Sequence, residues 1–332
     1  MSPVSAWTTR GDGRLEATNL PVPEPADGEL LVEVLACGVC RTDLHVIDGE
    51  LERHASPVVP GHQVVGRVTA TGPGTSRTAV GDLVGIAWLR STCGACPWCR
   101  SGRENLCPDA RFTGWDADGG YADLAVVAEA FAYPLPAGTD PVALAPLLCA
   151  GIIGYRALSR ANLPAGGRLG LYGFGSSAHL TALLAMAQGA SVSAMTRGEA
   201  NRGLARDLGA DFVGDEHEVP PVEHDAAIVF APAGELVPLA LAATVQGGTV
   251  VLAGIHMSDI PAMTYAEHLF RERDLRTVTA NTRADGDAFL RLARSLAITP
   301  EVTRYPFERA DEAVDALRSG AASGSLVLVR DA

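Results

Sequence analysis

The stretch Arg168-Leu-Gly-Leu-Tyr-Gly-Phe-Gly-Ser-Ser-Ala-His179 is an apolar run that turns through Gly173-x-Gly175-x-x-Ala178 and continues into the helical Leu180-Thr-Ala-Leu-Leu-Ala-Met-Ala187. Strand, glycine turn and helix in that order open a dinucleotide-binding unit. The glycines permit a tight turn and a close approach of backbone N–H groups to a pyrophosphate at the helix N-terminus, and Ala178 lets helix and strand pack closely. Alone such a motif carries little. Here both flanks are present, and a second strand at 191–196 follows at the required distance.

An acidic residue at the end of that second strand would hold the adenosine ribose of NAD. This chain has Thr196-Arg197 there, with Arg202 beyond. A small hydroxyl beside a guanidinium leaves room and countercharge for a 2′-phosphate, which favours NADP(H) over NAD(H). An ordinary solvated side chain is the other reading of Arg197. Downstream the alternation continues, with strands at 226–230 and 248–253, a helical stretch at 236–244 between them, and 276–280 closing the sheet. Residues 289–296 and 310–317 read as amphipathic helices, and 325–329 as a final strand. Of the histidines without companion ligands, His179 lies beside the glycine turn, within possible reach of a cofactor.

The first half differs in character. Short β-like runs at 29–35, 64–70 and 81–88 are separated by Gly and Pro, the pattern of a β-rich domain with irregular connections. Between the first two lies Cys37-Gly-Val-Cys-Arg-Thr-Asp-Leu-His45, and then Pro60-Gly-His-Gln63, in what reads as a loop-rich region. Cys40 and His62 are the ligand types that tetrahedral zinc prefers. Thr42 and His45 could pass a proton outward from a reacting oxygen, and Asp43 could hold the second nitrogen of His62. Taken alone, the stretch also fits a buried thiol and a satisfied loop histidine. The β-rich character resumes over 119–149 and ends at Cys149, the natural third ligand, or by spacing alone a small core residue. Trp88, at the end of its strand, fits a pocket wall or the core.

Cys93-Gly-Ala-Cys96-Pro-Trp-Cys99, with Cys107 after seven residues, can satisfy one tetrahedral zinc completely, leaving no position open. This is a structural site. It stabilises a loop with too little apolar content to hold itself.

The 332-residue length allows two domains, and aliphatic residues with few aromatics suit an α/β protein with buried parallel strands. A formal net charge of −13 argues against nucleic-acid or anionic-membrane partners. The seven cysteines, odd in number and partly in CxxC spacing, read as metal ligation in a reducing compartment. With no signal-like N-terminus and no bilayer-length apolar run, a cytoplasmic location is the default expectation.

Together these motifs resemble the zinc-dependent medium-chain alcohol dehydrogenases over essentially the whole chain, a family in which a catalytic Cys2His zinc is established. The resemblance implies a GroES-like catalytic domain at 1–150, a Rossmann domain at 151–285, and a segment 286–332 completing the first. It implies catalytic zinc on Cys40, His62 and Cys149, structural zinc on Cys93, Cys96, Cys99 and Cys107, a relay through Thr42 and His45, and Asp43 behind His62. It further implies that Arg41 contacts the cofactor pyrophosphate and that Trp88 lines the substrate pocket. Cys37 matches no ligand. Four positions depart from the family pattern: Gln63, Ile153 and Ser325 stand where Glu, Thr and Arg are usual, and Thr196 replaces the ribose-binding acid. The implied activity is reduction of an aldehyde or ketone, or oxidation of an alcohol, with two zincs per chain, in a homodimer or homotetramer. Gln63 and Ile153 keep open a reductase of an iminium or activated C=C bond, and a non-catalytic NADPH- or zinc-binding sensor is the reading from another class.

Overall fold

The computed structural model describes residues 3–52, 54–320 and 322–330. The chain forms two compact units: Met1–Cys149 with Ala280–Asp287 and Glu301–Ala332, and Ala150–Thr279 with Ala288–Pro300. Residues 280–287 thus group with the first unit, whereas 288–300, expected to complete the catalytic part, groups with the second.

Among the described residues the first unit is built on a seven-stranded sheet. Its axis is the eleven-residue strand Glu29–Val39, whose alternate side chains are buried along most of its length. That strand pairs antiparallel with Gln63–Thr71 on one side. On the other side it pairs with Leu124–Ala128 through its first half and with Ser325–Val329 through its last four residues. Leu30, Val32 and Val34 thereby meet Val64, Val84, Ile86, Val127 and Leu328 in one core. Two expectations are corrected here. The stretch after Cys40 is a helix, Arg41–Ile47, and 141–148 is helical where a β-rich run was expected, with Asp140 capping through its bond to the Val142 N–H and Pro141 at the first position.

The second unit is a six-stranded parallel sheet in the order Phe212–Gly214, Ser191–Met195, Arg168–Tyr172, His224–Val229, Thr244–Leu252, Asp274–Thr277. The doubly wound order reverses between the third and fourth of these, and in open α/β sheets ligands bind at the C-terminal strand ends of such a switch point. The closing strand runs two residues upstream of its predicted start. Among the described residues no single helix is long and apolar enough to cross a membrane.

Candidate metal and dinucleotide sites

The strand Glu29–Val39 delivers Cys40 to the N-cap of the Arg41–Ile47 helix. Asp43, in the first turn, bends back to accept the Cys40 N–H at 2.8 Å. The same carboxylate accepts the Gly61 N–H at 3.2 Å, His62 Nδ1 at 2.9 Å and the Tyr121 hydroxyl at 3.2 Å. Asp43 and His62 are both buried. A carboxylate holding Nδ1 leaves Nε2 as the free imidazole nitrogen and fixes its direction. Gly61 must be glycine: at φ +94 a Cβ would lie 2.3 Å from the Tyr121 ring. Sequence reading missed Tyr121, which carries no motif.

The ligating atoms of Cys40, His62 and Cys149 all lie within 4.8 Å of one another, with His62 Nε2 3.2 Å from Cys149 Sγ. Burial by itself would lower the pKa of His62, but Asp43 and the Cys40 thiol outweigh it and push it up to about 10. Bonding to the Cys149 thiol holds Cys40 well below the usual thiol range. This partly buried donor set is short of positive charge, the deficit a divalent cation makes good, and two sulfurs with one nitrogen suit zinc. Thr42 Oγ1 lies 3.8 Å from Cys40 Sγ. His45, buried on the same helix, pairs through Nδ1 with the Glu50 carboxylate. Arg41 is exposed at the first helical position. Gln63 is buried where the next strand begins, packed so closely on Gly38 that a Cβ there would meet its Oε1 at 2.4 Å. Cys37 is buried beneath Gly61 and Gly120, a packing residue.

Trp88 is buried and meets His62 edge-on at 4.9 Å between ring centroids. It stacks on Phe112 at 5.0 Å and on Trp115 at 5.9 Å, and Trp115 in turn stacks on His54 at 4.1 Å. Trp115 Nε1 donates to the Glu52 carbonyl, and His54 Nδ1 meets Asp116 at 2.8 Å. The result is an aromatic wall beside His62. Phe112 and Trp115 were missed by sequence reading, and His54 was read only as one of the histidines without companion ligands, although the scarcity of aromatics, with only four Trp in 332 residues, was a usable signal.

The four lobe cysteines likewise have all Sγ atoms within 4.8 Å of one another. Backbone N–H groups point at the sulfurs: Cys96 to Cys93 at 3.3 Å, Cys99 to Cys96 at 3.5 Å and Cys93 to Cys107 at 3.4 Å. The N–H donors of Ala95 and Cys96 bring the Cys93 thiol down to about 7. Such donors favour thiolates, the form that binds metal. Arg283 forks onto Glu104 within the lobe, with Nη2 to Oε2 at 2.6 Å.

In the second unit Gly173 has φ +86, and a Cβ there would strike the Ala231 N at 2.9 Å. Gly175 caps the helix Ser176–Ala187, and a Cβ on it would meet only open space, room that a pyrophosphate requires. Ala178 is fully buried under the turn. Thr196 is buried, and its Oγ1 accepts the Phe174 N–H at 3.1 Å, so it braces the glycine turn. Arg197, at the same strand end, pairs with Glu216 at 3.1 Å. His179 is fully buried, its Nδ1 3.4 Å from the Gly175 carbonyl, and burial pushes its pKa down to about 4. Ile153 is half-buried on the helix Ala150–Ala161, and Ser325 is buried at the start of its strand.

Residues 26–137 match the alcohol dehydrogenase GroES-like domain. The chain is 54% identical to the probable alcohol dehydrogenase AdhA of Mycobacterium tuberculosis, over 98% of this chain and 97% of that protein. The fold superposes on the acetophenone reductase of Geotrichum candidum in complex with NAD with a TM-score of 0.89, at 27% identity, covering 99% of this chain and 98% of the other. It also superposes on a putative zinc-binding dehydrogenase of Sinorhizobium meliloti bound to NADP with a TM-score of 0.88, at 28% identity, covering 99% and 100%. Relatives of this fold thus take either dinucleotide.

Proposed function

Because the chain belongs to the zinc-dependent medium-chain alcohol dehydrogenase family, we propose that it interconverts aldehydes or ketones and alcohols with zinc on Cys40, His62 and Cys149 and with NADP(H) preferred over NAD(H). Oxidoreductase activity of the alcohol dehydrogenase type comes with the family. The observation that carries the proposal is the convergence of Cys40, His62 and Cys149 with Asp43 locked behind His62.

Bound zinc would polarise the carbonyl, and bound NADPH would supply the hydride. The protein's own part is to hold and to move protons. Asp43 keeps His62 in one tautomer, and Cys40 and Cys149 would supply thiolates to the bound zinc. Thr42 donates the proton that the reduced substrate oxygen requires, and His45 replenishes it from the side where Glu50 sits. The wall of Trp88, Phe112 and Trp115 excludes water and favours apolar or aromatic substituents. A second zinc on Cys93, Cys96, Cys99 and Cys107 would be structural.

The described residues at the outer edge of the parallel sheet support a homodimer or homotetramer. The strand Asp274–Thr277 ends that sheet, and Ile255, Ile260, Tyr265 and Phe270 are exposed nearby in sequence. Seven free cysteines support a reducing, cytoplasmic compartment.

Cys40→Ala is expected to abolish aldehyde-dependent NADPH oxidation and to lower zinc from about two to about one per chain. Full activity in that variant sinks the metal assignment, and an amine or a saturated carbonyl as product sinks the substrate class.

A further inference from the structure

The Thr196 N–H donates to the Gly214 carbonyl at 3.1 Å, which sets the end of strand Ser191–Met195 beside the end of strand Phe212–Gly214. The chain then turns through Asp215–Glu218, closed by the Glu218 carboxylate on the Asp215 N–H at 3.1 Å. This turn places two acids against two arginines. Arg202, whose side chain is only 24% exposed, is spent within the fold on Glu199, on Asp215 and on the Thr196 carbonyl. Arg197 is different: its side chain is 71% exposed, and it pairs with Glu216, which is only 15% exposed.

Resting on the NADP(H) reading above, we propose that Glu216 sets how strongly this chain distinguishes the two cofactors, by competing with the 2′-phosphate for Arg197. A phosphate of charge near −2 that approaches Arg197 must displace this carboxylate or share the guanidinium with it, and like charges at that distance repel. The ribose hydroxyls of NADH carry no charge and meet no such competition. Glu216 therefore weakens NADPH selectively and narrows the preference. The neighbouring acids Asp215 and Glu218 are each held by a partner of their own, Arg202 and the Asp215 N–H. Glu216, which also faces His217 Nδ1 at 3.7 Å, is the acid whose closer partner, Arg197, the phosphate needs.

The test is direct binding of NADPH and NADH to the zinc-loaded protein by calorimetry at fixed ionic strength, without turnover. Glu216→Gln is expected to tighten NADPH about three- to fivefold, the scale of a partly exposed charge pair, while NADH stays within about twofold. Glu216→Ala is expected to repeat that shift. In an Arg197→Gln background, where NADPH binds less tightly, the gain from Glu216→Gln is expected to shrink by more than about half, since the contested cation is gone. An unchanged NADPH affinity in both Glu216 variants overturns the inference. So does a selective weakening of NADH, which would make Glu216 a ribose-hydroxyl acceptor. The unsubstituted protein's own NADPH-to-NADH ratio tests the cofactor reading separately: tighter NADH there removes the preference, yet leaves the Glu216 shift to be read.

Discussion

Asp43 accepts four hydrogen bonds and so governs more of the proposed metal site than any of its candidate ligands. Asp43→Asn is expected to lower zinc affinity at the Cys40 site about 10- to 100-fold, because an amide can neither take all four donors nor balance His62. Chelator competition measures it, and the four-cysteine zinc is expected to stay. A separate expectation concerns a residue of the second unit. His224 is fully buried with both ring nitrogens unpartnered, and burial together with the Arg168 charge pushes its pKa down to about 4. A folded pKa below the ordinary 6.5 means that the unfolded chain takes the proton first as pH falls. Stability is therefore full above about pH 6.5 and is lost progressively until about pH 4, by about 3 kcal/mol for this residue. His224→Leu is expected to flatten that part of the stability profile in urea titrations taken at several pH values.

At the scale of elements, the lobe is held by its cysteines and by one long-range fork. Arg283 reaches back to Glu104, and this guanidinium outweighs burial to hold the Glu104 carboxyl below its usual range. The guanidinium is half-exposed, so Arg283→Ala is expected to cost about 1 to 2 kcal/mol, seen as a lower urea midpoint. How much of this was legible varies by element. Cysteine spacing and the glycine turn are local patterns, so the four-cysteine cluster and the turn at Gly173 could be read directly from them, whereas Cys149, distant in sequence from Cys40 and His62, was left open by spacing and joined them only through the family resemblance. The Arg41–Ile47 helix could not. Its Thr, Asp, His, Val and Ile are poor helix formers, and seven residues are too few to show a period. It is held instead by Asp43 folding onto the Cys40 N–H. The aromatic wall was hidden for another reason: residues 54, 88, 112 and 115 meet only after separate loops have folded.

At the scale of the molecule, Thr196 and Arg197 show how tertiary pairing alters a local reading. The hydroxyl braces the turn, and the guanidinium already has a carboxylate. The first unit is also discontinuous, with most of the second lying between its parts. The strand Ser325–Val329 pairs with Ala36–Cys37–Gly38–Val39, the residues that lead directly to Cys40. Removal of residues 320–332 is therefore expected to abolish stable zinc at the Cys40 site, read as metal per chain after dialysis. The same pairing orders events during synthesis. A ribosome makes Cys40 well before its supporting strand, with most of the second unit between them, so that unit can fold first, while the thiols of the other half wait, open to metal or oxidant, until translation reaches Val329.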